Sequence, residues 1–140
     1  MSYQLKILNH PADLRIEVEA SSLEELFQGA IELMASLLYK RVNELVKKKK
    51  LSLEKDINIE ANSLEQLMVD SLNEVLSLSD INNAIFPHCE INDLKDNKLK
   101  ARILGIKVKR FDLEIKAATY YGLKIETNNR QYKAIITFDI

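Results

Sequence analysis

Two periodicities alternate along the chain. In residues 14–20, Leu14, Ile16, Val18 and Ala20 alternate with Arg15, Glu17 and Glu19, the period of two expected of a strand with one buried face. Residues 3–9 read as a strand before it. Pro11 in the intervening His10-Pro11-Ala12-Asp13 predicts a corner, because proline lacks a backbone donor and biases its predecessor to extended geometry. The period then lengthens. Ser21-Ser22-Leu23-Glu24 has the layout of a capping box, and Leu23, Leu26, Phe27, Ala30, Ile31, Met34, Leu37 and Leu38 line one face of a helix. Gly29 falls inside that helix, where glycine costs about 1 kcal/mol against alanine, so a close packing contact is expected there.

The pattern then repeats. Residues 51–61 alternate, most clearly at Ile57, Ile59 and Ala61. Asn62-Ser63-Leu64-Glu65 caps a second helix with Leu64, Leu67, Met68, Leu72, Val75 and Leu76 turned inward. Residues 19–26 and 60–67 match at a constant offset of 41, with six of eight pairs identical. Either any strand entering a capped helix looks like this, or a strand–helix module is duplicated. Residues 84–91, 98–108, 114–125 and 132–140 read as further strands, with turn chemistry at Asp96-Asn97 and Asn128-Asn129. The expected class is α+β, two helices packed on antiparallel sheet. No linker or low-complexity segment divides the chain, so one domain over 1–140 is expected.

Composition narrows the chemistry. Among 140 residues there are three glycines and two prolines, against an average usage of about 12% for the two together. No glycine-rich nucleotide loop and no Cys-x-x-Cys is present. One cysteine, Cys89, excludes an internal disulfide and fits a reducing cytoplasm. Two histidines and one cysteine leave few zinc ligands. The N-terminus lacks the layout of a signal peptide, and no segment is apolar enough to span a bilayer. The formal charge of −1 argues against strong phosphate-driven affinity over the whole surface.

Few side chains remain as candidates. His10 is a candidate base ahead of a strand, although a histidine capping a turn is commoner. His88 and Cys89 are neighbours on a strand and point to opposite faces, which argues against joint metal ligation; Cys89 reads as a small buried hydrophobe. Lys47, Lys48, Lys49 and Lys50 read as a solvated loop or strand entry. Asp13 stands at the corner, Lys116 within an apolar stretch, and Asp139 between Phe138 and Ile140. A carboxylate held beside the chain's terminal carboxylate concentrates oxygen ligands of the kind calcium or magnesium prefers. Asp13 would join them if the first and last strands lie side by side.

Taken in order, these pieces resemble the archease family. The matching segments are His10-Pro11-Ala12-Asp13, the helix entry Leu23-Glu24-Glu25-Leu26-Phe27, residues 67–76, Lys116-Ala117-Ala118-Thr119-Tyr120, and the final Asp139-Ile140. The resemblance implies strand-helix-strand-strand modules, one inserted in the other. It also implies a cytoplasmic, non-catalytic cofactor of an RtcB-type RNA ligase in tRNA splicing and RNA repair. Such a protein promotes guanylylation and multiple turnover of the ligase, and indirect contact with tRNA or other RNA goes with that role. Carried over, a divalent cation (calcium or magnesium) would be held by Asp13, Asp139 and Ile140, with Lys116 and His10 as functional, partner-contacting residues. A short C-terminal tag should then harm function. Four positions depart from the family pattern: Pro11, Arg15, Ile106 and Tyr121. Two other readings stand beside this one. A small metal-dependent phosphoester hydrolase would use the same carboxylates with His10 as base. A binding adaptor would meet RNA or an acidic protein around residues 47–50, Lys107, Lys109 and Arg110.

Overall fold

The computed structural model describes residues 3–10 and 13–140, the side chains of Leu8, Asn9 and His10 excepted. Pro11 and Ala12 of the expected corner lie outside the described residues. The elements are β1 (Tyr3–His10), β2 (Asp13–Ala20), α1 (Leu23–Leu38), α2 (Val42–Lys48), β3 (Leu53–Glu60), α3 (Leu64–Asn82), β4 (Ala84–Lys95), β5 (Lys98–Lys107), β6 (Ala117–Thr119), β7 (Ile125–Asn128) and β8 (Gln131–Asp139). The α+β class with antiparallel sheets is therefore as expected, with one helix more.

Both long helices begin as the repeat requires, but one residue later than the boxes suggested. Ser22 caps α1 by accepting from the Glu25 amide at 3.1 Å. Ser63 caps α3 by accepting from the Gln66 amide at 3.1 Å. The third helical position is therefore Glu25 or Gln66, and the offset of 41 carries over to the cap geometry. The short helix α2 corrects the reading of the basic run: Lys47 and Lys48 form its last turn, where cations meet the negative end of the helix dipole.

Strand order explains the two modules. The outer parts of the chain build one sheet in the order β1-β2-β8-β6, with β7 also on β8, and the middle builds a second in the order β3-β5-β4. The second strand–helix unit, β3–α3 with β4 and β5, is thus inserted between α1 and the strands that complete the first sheet. Alternation sorts the faces. Ile16 and Val18 of β2, with Ala134, Ile136 and Phe138 of β8, are fully buried, and Arg15, Glu17 and Glu19 take the other face. The core joins these residues to Phe27, Leu67, Met68, Phe86 and Leu99.

Close approaches and turns hold the frame. A Cβ on Gly29 would stand 2.8 Å from the Tyr3 ring, which is the packing contact expected of a glycine in that helix. Glu32 of α1 accepts from the Tyr3 hydroxyl at 2.7 Å and the Cys89 amide at 2.9 Å, tying α1 to both sheets. Cys89 is fully buried and His88 half-exposed, on opposite faces of β4 as the strand geometry demands. Asp96 and Asn97 both have positive φ and make the two-residue turn between β4 and β5. The last hairpin turns at Asn129 and Arg130, one residue after the turn read from sequence. The strand expected over 114–125 is interrupted. A turn closed by the Leu123 amide on the Tyr120 carbonyl at 3.1 Å, with Gly122 at φ +66°, separates the three residues of β6 from β7. No helix among the described residues is long and apolar enough to cross a membrane.

Candidate functional site

The candidate residues converge at one end of the larger sheet. The strand that pairs with the last one is β2, not the first strand, and its register places Asp13 directly opposite Asp139. His10, at the end of β1, is in turn opposite Asp13; its side chain lies outside the described residues. On the far side of β8, Ala117 is opposite Asp139, and the Lys116 amide donates to the Asp139 carbonyl at 2.7 Å. Three stretches distant in sequence, 10–13, 116–117 and 139, thus meet in one row across β1, β2, β8 and β6.

Alternation decides what the row exposes. Phe138 is fully buried, so Asp139 turns away from the core, where it is exposed beside a half-buried Asp13. Side chains directly opposite on antiparallel strands share a face with Cβ atoms about 4.5–5.5 Å apart. Ile140 follows at 41% exposure. Among the described residues no group of three or more His, Cys, Asp and Glu side chains is gathered to hold a metal ion. What the row presents is two carboxylates, Asp13 and Asp139, and the main-chain oxygens at the end of β8. Oxygen-only donors with room for water fit calcium or magnesium and suit zinc poorly.

Lys116 is exposed and among the described residues makes no ion pair. It lines a cleft of about 520 Å³ with Asn73, Leu76, Ser79 and Asp80 of α3 and with Phe111 and Leu113. The buried Ser79 hydroxyl has no hydrogen-bond partner among the described residues.

The segment carrying Lys116 is latched to α3 by two residues for which sequence reasoning offered no role. Asn73 accepts from the Ala118 amide at 2.7 Å and donates to the Ala118 carbonyl at 3.1 Å, standing in for a neighbouring strand on the free edge of β6. Asp70 accepts from the Tyr120 hydroxyl at 2.8 Å, and that bond raises the Tyr120 phenol above its ordinary range. The signal was available: Asn73 is an uncharged polar residue between the inward-facing Leu72 and Leu76, inside a matched segment. Of the departures, Ile106 is buried and Tyr121 exposed. The Tyr121 carbonyl accepts from the Thr137 hydroxyl at 3.3 Å, and Arg15 stands opposite Thr137, two residues along from the carboxylate pair and so on the same face of each strand.

A family model described as Archease protein family (MTH1598/TM1083) matches residues 5–140. Among curated proteins, the protein archease of Pyrococcus furiosus is 34% identical over 127 residues, covering 84% of either chain. That of Methanosarcina barkeri is 29% identical over 147 aligned residues, covering 98% of this chain and 96% of its own. Among solved structures, the solution structure of Methanobacterium thermoautotrophicum protein 1598 superposes with a TM-score of 0.74 at 22% identity, over 97% of this chain and 98% of that one. A crystal structure of an archease, possible chaperone, from Thermotoga maritima superposes with a TM-score of 0.65 at 24% identity, over 96% of each. At these identities the two structures speak for the fold.

Proposed function

The chain belongs to the archease family, and on that premise we propose that it is a non-catalytic activator of an RtcB-type RNA ligase, acting through a divalent-cation site at Asp13, Asp139 and Ile140. The description of the Thermotoga relative as a possible chaperone agrees with a protein that works on another protein. The observation that carries the reading is the register of Asp13 opposite Asp139, with the Lys116 amide on the Asp139 carbonyl.

Each residue has a distinct task. Asp13 and Asp139 hold negative charge on the solvent side of a rigid sheet, where the strand pairing sets their separation without a loop. Ile140 supplies main-chain oxygen beside them. Lys116 keeps an unpaired cation at the rim of the same sheet end, positioned to meet phosphate oxygens of a nucleotide in the partner's active site. His10 stands in the same row, one strand out. A bound cation supplies positive charge that neutralises phosphate oxygens, and in nucleotidyl transfer positioning and charge neutralisation provide most of the catalysis. The test is a multiple-turnover ligation assay with the matching ligase. Asp139→Ala and Lys116→Ala are each expected to lose the stimulation seen with the unsubstituted protein; if both stimulate equally well, the assignment of the site is wrong.

A further inference from the structure

The basic residues of this chain are not spread evenly, and one concavity gathers five of them. A cleft of about 600 Å³ between α2 and the segment after β5 is lined by Arg41, Lys49, Lys107, Lys109 and Arg110, with Tyr39, Leu45, Val108 and Asp112 completing it. Lys47, Lys48 and Lys50 are exposed beside it. The walls are fixed by backbone bonds: the Asp112 amide donates to the Leu38 carbonyl and the Val108 amide to the Asn83 carbonyl, each at 2.8 Å. Asp112 is the one acid in the lining, and its carboxylate already accepts from the Lys40 amide at 2.7 Å. Arg41 pairs with Glu44 at 3.0 Å, both being well exposed. Lys49, Lys109 and Arg110 have no ion-pair partner among the described residues.

We propose that this cleft binds the phosphodiester backbone of single-stranded RNA. Holding like charges together in a chain of net charge −1 is unfavourable unless a polyanion neutralises them. Two guanidinium groups and three ammonium groups around a groove suit a run of phosphates. Tyr39 adds a half-buried aromatic ring to the same wall, the element that lets a basic groove stack a base. A membrane surface would call for exposed apolar anchors around the cations, and Val46, at 37% exposure, is the one large apolar side chain of α2 in that state. This binding needs neither the cation site nor the ligase, so it stands or falls separately from the proposed function.

The experiment is fluorescence anisotropy of a labelled single-stranded RNA with the full chain, in a chelator and without ligase, across a salt series. Five phosphate contacts give an expected slope of log affinity against log salt of about −3.5, since each contact on a single strand contributes about −0.7. The triple substitution Lys49→Gln, Lys109→Gln, Arg110→Gln is expected to bring the slope to about −1.4 on the same rule and to weaken low-salt binding at least tenfold. These side chains are exposed, so the fold tolerates the change. Lys95→Gln, Lys98→Gln, Lys100→Gln, around the turn from β4 to β5, removes equal charge and should leave affinity within about twofold, only bulk charge having changed. Tyr39→Leu should weaken binding severalfold at an unchanged slope. Equal behaviour of the two triple variants, or no binding at low salt, overturns the proposal. Displacement of the RNA by polyglutamate or by anionic lipid vesicles at matched charge also overturns it, in favour of an acidic protein or a membrane.

Discussion

Asp13 and Asp139 face each other across β2 and β8 in antiparallel register, a half-buried carboxylate beside an exposed one on the sheet face turned away from the core. Like charges directly opposite on neighbouring strands destabilise the pair by about 0.2–1 kcal/mol. In a chelating buffer Asp139→Asn should therefore be more stable than the unsubstituted protein by an amount in that range, measured by urea unfolding. In millimolar calcium or magnesium the order should reverse, because a cation bound only by the folded state raises the midpoint of the native protein. An equal rise in both proteins would place the cation elsewhere.

Asn73 holds both polar groups of Ala118. Asn73→Leu keeps the volume and leaves a buried amide and carbonyl without partners, a loss of about 1–3 kcal/mol per group left unsatisfied. The expected local signature is faster hydrogen exchange at the Ala118 amide than at the Ile136 amide in the middle of β8. Equal protection at the two would show that β6 does not depend on α3.

Gly105 tests the packing of the smaller sheet. A Cβ there would lie 2.7 Å from the Ile85 carbonyl oxygen and 2.7 Å from the Phe86 ring, beside the irregularity in β4 between Ile85 and His88. Backbone cannot yield as a flexible side chain can. Gly105→Ala should destabilise by about 1–3 kcal/mol, the usual range for overpacking, read as a lower unfolding midpoint at unchanged denaturant slope.

Cys89 couples stability to alkaline pH. Burial, then the neighbouring Glu32 and Glu90 carboxylates, push its thiol from 9.0 up to about 12; burial and Glu32 likewise raise the Tyr3 phenol. The unfolded thiol ionises first, so the unfolded state binds fewer protons between these values and stability falls as pH rises from about 9 to about 12. Cys89→Val should flatten that decline without abolishing it, since Tyr3 acts in the same direction. At pH near 8 the native thiol should be inert to a disulfide reagent and react only in urea.

Much of this molecule is written in short stretches of sequence. The alternation of β2, the inward stripes of α1 and α3, the turn at Asp96 and Asn97 and the repeat at an offset of 41 all rest on interactions within a few residues. The same local reading misplaced the 114–125 strand: Ile115, Ala117, Leu123 and Ile125 fall at strand-like spacing, but the residues that are buried, Ile115, Ala118 and Leu123, lie around a turn rather than along a ladder. It also missed α2, a helix of seven residues too short to display a stripe.

Adjacency was decided elsewhere. Nothing local states that β2 rather than β1 takes the edge of β8, that Asn73 closes onto Ala118, or that residues near 45 and near 109 wall one cleft. Those pairings follow from which apolar faces the two sheets and α1 and α3 can bury together, a property of the whole chain. Hydrogen-bond period and capping are settled by neighbours in sequence and so can be read along it. A site assembled from Asp13, Lys116 and Asp139 exists only once long-range burial has chosen the strand order.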